Sequence, residues 1–191
     1  MKTLILLVVL SIALLGSCGQ SPATTPEPPP TSPPLPIADF DSCSGVNLLG
    51  GQSGGAYNSP DLLQETYVQD LDRGCVARLR YEVEEWAAFW IQLMGADLTP
   101  YRQLAFDVRA EGEPPRRAKL ELKNQAGEVG ILYIEGIGTE WNTMTVSLAD
   151  FTAGYGKPLS SLRNMAELVL VFEASQSGPE GIVYLDNVRF Q

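Results

Sequence analysis

Apolar and polar residues alternate along most of the chain after residue 36. In the segment 103–110, Leu104, Phe106 and Val108 alternate with Asp107 and Arg109. A period of two residues is that of a β-strand with one buried face, so the pattern predicts antiparallel strands over a shared core. The same alternation occurs in the segments 75–83, 118–123, 143–148 and 168–173.

Further apolar segments extend this all-β pattern to about ten short strands in total. The additional strands are predicted at 65–69, 86–94 and 129–135, and at the two ends of the domain, 37–41 and 181–190. A turn or two of helix is predicted within 159–166, and the Gly-, Ser- and Asn-rich segment 42–60 is predicted to form a long loop. Many short strands separated by turns predict an antiparallel β-sandwich of two sheets.

Aromatic residues divide into core candidates and surface candidates. Four lie on the apolar face of a predicted strand and are expected to be buried: Tyr81, Phe106, Phe172 and Phe190. Trp141 opens a strand and is expected to pack. Trp86 and Trp90 share one strand face, so they are core residues if that face points inward and a stacking platform if it points outward. Tyr57 and Tyr155 lie in Gly-rich loops, where an exposed ring would also suit stacking.

The last predicted strand is strongly apolar but carries Asp186 in its middle. An ionised carboxylate inside a buried strand needs a partner or a metal ion. We expect this strand to pair with the first strand of the domain, 37–41, so that the two ends of the sandwich meet. The alternative is that Asp186 is a solvated acid on an edge strand.

Residues 1–17 have the features of an export signal: Lys2, an apolar run at 4–15 and then small residues. The apolar run is too short to span a membrane, which takes roughly 20 residues. The segment 15–18 resembles a bacterial lipobox, which implies cleavage before Cys18 and lipid attachment to it. The protein is then exported and held on the outer side of a cell membrane. The alternative is ordinary secretion with a free Cys18.

The segment 18–36 is rich in proline, serine and threonine and favours extended polyproline II structure. We interpret it as a spacer of on the order of 50 Å rather than a proline-rich recognition motif, followed by one domain at 37–191. With Cys18 assigned to lipid, Cys43 and Cys75 remain, and an exported chain allows them to pair as a disulfide. The alternative is two buried thiols.

The formal net charge of −10 argues against nucleic acid and against a basic membrane-binding surface. Membrane contact is therefore expected through the lipid alone. The chain has no histidine, which excludes serine–histidine and histidine–zinc chemistry.

Several segments in order resemble jelly-roll carbohydrate-binding modules with a galactose-binding-like fold. They are 97–109, 120–123, 141–151, 167–173 and the ending Tyr184-Leu185-Asp186-Asn187. The chain is most similar to modules of family 11 and to the related complex I intermediate-associated domain, over essentially all of 37–191. The resemblance implies a non-catalytic sandwich that binds poly- or oligosaccharide.

The same resemblance implies a structural calcium ion that joins the first and last strands. Its ligands in this chain would be Asp39 or Asp41 together with Asp186, with backbone carbonyls and Asn47 as further ligands. Alternation places Asp39 and Asp41 on one face and does not distinguish between them.

Outward-facing charged residues are the candidate sugar ligands, because planar charged groups make strong hydrogen bonds to hydroxyls. We expect them to share one sheet face as the floor of a groove, with Trp90 as the candidate platform: Asp107, Arg109, Glu121, Lys123 and Glu173. The alternative is a solvated face of ion pairs, each of which contributes little.

Two other functions are compatible with the sequence. A structural or protein-binding domain on the same fold would present a flat, charge-paired face, whereas a glycan-binding module would present a concave face with an exposed aromatic ring. A glycoside hydrolase would need two carboxylates, for which Glu121 and Glu173 are the candidates. Lys119, Lys123 and Arg109 are expected to keep both ionised, which argues against catalysis.

Overall fold

The computed structural model describes residues 32–153 and 157–191. The predicted signal segment, Cys18, most of the predicted linker and Tyr155 lie outside the described residues. In the described part of the chain, no helix has the length and apolar character needed to cross a membrane.

Two β-sheets face each other. The first has the spatial order β3 (Leu62–Asp70), β4 (Gly74–Glu82), β13 (Glu180–Phe190), β6 (Gln103–Glu111) and β9 (Asn142–Ser147), with β1 (Leu35–Ala38) paired to the far end of β13. The second has the order β10 (Thr152–Ala153), β8 (Glu128–Ile134), β7 (Ala118–Asn124), β12 (Met165–Glu173), β5 (Trp86–Ala96) and β2 (Ser53–Tyr57), with β11 (Lys157–Pro158) against β8. All pairs are antiparallel except β11 with β8. The predicted two-sheet antiparallel sandwich is confirmed.

The inward faces of both sheets form one apolar core. Tyr81 of the six-stranded sheet stacks on Phe172 of the seven-stranded sheet, with ring centroids 4.2 Å apart. All four aromatic residues that were expected in the core are buried, since Phe106 is 2% exposed and Tyr81, Phe172 and Phe190 are fully enclosed.

The first and last strands pair, as predicted. Leu35 of β1 lies opposite Phe190 of β13, and a bulge follows before Ala38 meets Val188. The first strand ends at Ala38, earlier than predicted, because Phe40 takes a positive φ of 55° and turns the chain. The alternative of a solvated Asp186 is wrong, since this residue is 2% exposed.

Two local predictions are wrong. The segment 159–166 forms no helix: residues 162–164 are bends, and β12 begins at Met165. The described residues form a single turn of 3-10 helix at Leu148–Asp150 and the short helix α1 (Ala174–Ser177) instead. The predicted loop at 42–60 contains β2 (Ser53–Tyr57), which forms the edge of the seven-stranded sheet.

Cys43 and Cys75 form the predicted disulfide, with their Cα atoms 5.3 Å apart. The bond ties the segment before β2 to the first residues of β4. The side-chain amide of Gln69 donates to both sulfur atoms, at 3.2 Å and 3.0 Å.

Candidate functional site

A cleft of about 560 Å³ lies over the outward face of the seven-stranded sheet. Its lining comes from four neighbouring strands, β2, β5, β12 and β7. The residues are Ala56, Trp86, Ala88, Trp90, Lys119, Glu121, Lys123, Glu167, Val169, Val171 and Glu173. They are the residues of these strands that alternate with the core residues, so the period-two pattern of the sequence builds the cleft directly.

Strand register divides the cleft into an apolar half and a charged half. Val169 of β12 lies between Trp90 of β5 and Glu121 of β7. Two residues further along β12, on the same face, Val171 lies between Ala88 of β5 and Lys119 of β7. The cleft therefore offers an apolar strip over β5 and the middle of β12, beside a charged row on β7 that is completed by Glu167 and Glu173 of β12.

Trp90 lies across the edge strand β2. Its indole Nε1 donates to the Gly55 carbonyl at 3.3 Å. A Cβ atom on Gly54 would lie 2.9 Å from Trp90 Cζ2, so glycine is the residue that lets the indole approach the strand this closely. The indole is half-buried and keeps part of its surface toward the cleft.

Trp86, at the other end of the strip, is positioned by Asp61. The buried Asp61 carboxylate accepts hydrogen bonds from the backbone N–H groups of Glu84 at 2.7 Å and Trp86 at 2.8 Å. These bonds hold the pKa of Asp61 below its ordinary value. The Asp61 carboxylate thus fixes the turn that precedes Trp86 and positions Trp86 in the cleft.

Lys119 stands at the centre of the charged half. Its Nζ lies 2.7 Å from Glu173 Oε1 and 3.3 Å from Glu121 Oε1. Both Lys119 and Glu121 are buried in the floor, at 8% and 3% exposed. Burial alone would lower the pKa of Lys119, but the hydrogen bond to Glu173 and the charge of Glu121 outweigh it and raise that pKa.

The charges continue on both sides of this centre. Lys123 Nζ lies 3.3 Å from Glu121 Oε2 and 3.7 Å from Glu167 Oε2. The Tyr133 hydroxyl donates to Glu173 Oε2 at 2.9 Å, and its ring is 38% exposed beside the cleft. Tyr133 and Glu167 were missed as site residues, although their places in the alternating segments of β8 and β12 indicated an outward position.

The structure brings four of the predicted ligand-binding residues together in the cleft: Trp90, Glu121, Lys123 and Glu173. The expectation that Asp107 and Arg109 share their face is wrong, because β6 belongs to the six-stranded sheet. These two residues therefore lie on the opposite side of the sandwich. Alternation distinguishes inward from outward residues, but it does not say which sheet a strand joins.

On that opposite side, Asp107 lies directly across from Asp186. Arg73 Nη1 lies 2.6 Å from Asp107 Oδ2 and 3.3 Å from Asp186 Oδ2, and the Thr143 hydroxyl donates to Asp107 Oδ1 at 2.6 Å. Burial raises the pKa of Asp186 to about 6, against the opposing effect of its hydrogen bonds from Asn187 and Arg73. Burial acts the same way on Asp107, but its bonds from Thr143 and Arg73 outweigh it and lower the pKa.

The residues expected to bind calcium do not assemble into a ligand set. Asp186 is engaged by the Arg73 guanidinium, which would repel a metal ion. Asp39 Oδ1 accepts the backbone N–H of Asp41, and Asn47 Oδ1 accepts those of Leu49 and Gly51. Within residues 32–153 and 157–191, no group of three or more acidic, cysteine or histidine side chains is placed to hold a metal ion. The described residues do not fit a calcium ion at this position.

Neither a protein-family model nor a curated protein sequence matches the chain. Solved structures do match it. The family 11 carbohydrate-binding module from Clostridium thermocellum, in complex with a β-1,3-1,4-mixed-linked tetrasaccharide, has a TM-score of 0.64 at 15% identity, with 82% of this chain and 94% of that chain covered. A mutant of the family 29 module CBM29-2, complexed with mannohexaose, has a TM-score of 0.56 at 15% identity, with 83% and 90% covered.

An exo-β-agarase matches with a TM-score of 0.58 at 14% identity, over 82% of this chain but 25% of that enzyme. Identities this low show the fold alone. The fold is the jelly-roll β-sandwich of carbohydrate-binding modules, and the cleft lies on the outward face of one of its sheets.

Proposed function

We propose that this chain is a lipid-anchored, non-catalytic module that binds a poly- or oligosaccharide in the cleft of its seven-stranded sheet. The observation that carries the proposal is that an apolar strip containing Trp86 and Trp90 lies beside a charged row on β7 and β12 in one open cleft. Sugar rings combine an apolar C–H face with a rim of hydroxyl groups, and the two halves of the cleft match these two surfaces.

The apolar strip would bind the C–H faces of the sugar. Trp86 and Trp90 are four residues apart on β5, which separates their Cα atoms by roughly 13 Å. A ligand that contacts both indoles is therefore longer than one pyranose ring. This spacing favours a chain of sugars over a monosaccharide.

The charged row would bind the hydroxyl groups. Lys119, Lys123 and their three glutamate partners are paired with one another, so the row presents both donors and acceptors without a large excess charge. Charge-assisted hydrogen bonds to hydroxyls are strong when the groups are already held in place. A neutral glycan is the ligand that such an internally compensated row suits.

Solved structures with the same fold support this ligand class. The family 11 module is complexed with a tetrasaccharide and the family 29 module with mannohexaose. The exposed Tyr133 ring beside a concave, solvent-lined face also favours a glycan over the alternative of a structural or protein-binding domain.

The arrangement argues against glycoside hydrolysis by Glu121 and Glu173. The Lys119 ammonium contacts both carboxylates, at 3.3 Å and 2.7 Å, so both already form ion pairs with one cation. A hydrolase of this kind needs one carboxylic acid that is protonated and can donate to the leaving group. A binding role uses the same residues without that requirement.

Lipid attachment at Cys18 and export are part of the proposal on the strength of the segment 15–18 alone. They predict that the protein incorporates radiolabelled palmitate in a bacterial host and fractionates with membranes, and that Cys18→Ala abolishes both. Calcium is not part of this proposal, because the described residues do not fit it at the predicted position; thermal unfolding with and without a chelator tests that prediction.

The test of glycan binding is isothermal titration calorimetry of the purified protein against mixed-linked β-glucan tetrasaccharide, mannohexaose and other neutral oligosaccharides. Trp90→Ala is expected to weaken binding about tenfold or more. Trp141→Ala, which removes an indole from the opposite sheet, is the matched control and is expected to bind normally. Absence of binding at millimolar ligand, or equal losses in the two variants, would contradict the proposal.

A further inference from the structure

The outward face of the six-stranded sheet carries a second group of side chains, centred on Tyr184. Tyr184 of β13 lies directly opposite Arg78 of β4 on one side and Arg109 of β6 on the other. The guanidinium carbon of Arg109 lies 3.8 Å from the centroid of the Tyr184 ring, and that of Arg78 lies 6.0 Å from it. We call these three residues the arginine–tyrosine row. The two cations are held toward one aromatic ring by cation–π attraction.

Arg109 has no acidic partner among the described residues, although acids lie on either side of it. Its neighbours on the same face of β6 are Asp107 and Glu111, and both are engaged elsewhere. Asp107 binds Arg73, and Glu111 accepts a hydrogen bond from the Tyr184 hydroxyl. The half-buried guanidinium of Arg109 therefore keeps its N–H donors available.

Arg78 is also without an acidic partner in the described chain. Its Nε donates to the Tyr184 hydroxyl at 3.2 Å, which fixes the side chain and leaves the two terminal nitrogens. Two arginines without an ion-paired carboxylate therefore lie on either side of one tyrosine, in a chain with a net charge of −10. Such a pair suits an external anion, because an arginine fork binds a planar carboxylate through two parallel hydrogen bonds.

We propose that the arginine–tyrosine row binds one carboxylate group of an acidic sugar, a hexuronate, at a site separate from the cleft. A carboxylate fits better than a phosphate, which carries more negative charge on one group, because Asp107 and Glu111 border the row and the whole chain is acidic. A sugar fits because the Trp141 indole lies 5.4 Å from the Arg109 guanidinium carbon and supplies an apolar surface beside it. The site would add recognition of charged glycans to the neutral-glycan cleft.

The experiment titrates the purified protein with tri-galacturonate, with its fully methyl-esterified form and with a triglutamate peptide. Binding of tri-galacturonate is expected, and esterification is expected to reduce it about tenfold or more because it removes the anionic charge. Arg109→Gln is expected to cause a similar loss and Arg109→Lys a smaller one, because lysine keeps the charge but not the fork. The folding of each variant is checked by thermal unfolding.

Two controls separate this site from others. Arg102→Gln removes an exposed arginine outside the row and is expected to bind tri-galacturonate normally. Trp90→Ala changes only the cleft and is also expected to leave uronate binding intact, so failure of the cleft proposal would not affect this result. Any one of four results would overturn the proposal. These are equal binding of the acid and its ester, unchanged uronate binding in Arg109→Gln, weaker uronate binding in Trp90→Ala, and binding of triglutamate that is as tight as that of tri-galacturonate.

Discussion

Asp186 lies directly opposite Asp107 on the neighbouring strand, and the two carboxylates share the Arg73 guanidinium and the Asn187 side-chain amide. Two acids this close, with one cation between them, do not ionise equally. Asp186 is the more buried of the two, and its pKa is raised to about 6 while that of Asp107 is lowered.

The raised pKa of Asp186 predicts a specific pH dependence of stability. Between pH ~4 and ~6 the folded protein binds more protons at this site than the unfolded chain, so this contribution to stability grows as the pH falls through that window. Asp186→Asn is expected to be more stable than the wild type at pH 7 by about 2 kcal/mol and to lose that advantage toward pH 4. Denaturant unfolding at several pH values measures the difference.

Asp72→Asn, at an exposed acid in the adjoining hairpin turn, is the control for this experiment. Its stability difference from the wild type is expected to stay nearly constant over the same pH range. Parallel pH profiles for Asp186→Asn and the wild type would show that Asp186 does not titrate as described.

A substitution at Gly54 is expected to change the shape of the cleft. An added Cβ would lie 2.9 Å from Trp90 Cζ2, so Gly54→Ala is expected to displace the indole and weaken glycan binding about five- to tenfold. Gly138→Ala is the matched control, because a Cβ there has no neighbour within 4 Å. Equal glycan affinity of Gly54→Ala and the wild type would mean that the indole position does not matter for binding.

The same glycine explains why one strand could not be predicted. The sequence Ser-Gly-Gly-Ala-Tyr of β2 reads as a loop, because glycine usually weakens a strand. Here Gly54 faces the Trp90 indole, and a Cβ on Gly55 would meet the Glu65 carboxylate at 2.9 Å. The preference for glycine comes from neighbours that are distant in sequence, which a local pattern does not contain.

The sequence predicted part of the candidate site, and the rest depended on pairing between distant strands. Glu121, Lys123 and Glu173 were found because alternation gives the outward face of each strand, and β7 pairs directly with β12. Asp107 and Arg109 satisfy the same alternation, yet β6 pairs with β13 and β9 in the other sheet. Membership of a sheet depends on long-range pairing, so sequence reasoning found the outward residues but not their grouping.

A substitution at Lys119 is expected to destabilise the floor of the cleft. Lys119→Met removes the ammonium that contacts Glu121 and Glu173, and Glu121 is almost fully buried. The expected loss in the free energy of unfolding is about 2 to 3 kcal/mol. The double variant with Lys119→Met and Glu121→Met is expected to recover part of this loss, because both buried charges are then removed.

Lys123→Met is the control for this charge effect. The Lys123 side chain is 33% exposed, so solvent screens its ion pairs and the expected loss is below about 1 kcal/mol. Denaturant unfolding of all three variants gives the comparison. Equal losses for the two single lysine variants would indicate that burial of Lys119 does not strengthen its ion pairs.

A substitution at Asp61 is expected to affect both the stability of the fold and the position of Trp86. The backbone N–H groups of Glu84 and Trp86 bond to different oxygens of Asp61, so the N–H₂ donor of Asp61→Asn would face one of them, and both folding and glycan binding are expected to weaken. The pKa of Asp61 is lowered, so its contribution to stability is present above pH ~4 and is lost as the pH falls through the folded-state pKa.

Asp97→Asn is the matched control, because Asp97 also has a lowered pKa from bonds with Thr99 but lies in a turn outside the cleft lining. Calorimetric titration should therefore show weaker glycan binding in Asp61→Asn alone, and equal glycan affinity in the two variants would mean that Asp61 stabilises the fold without positioning Trp86.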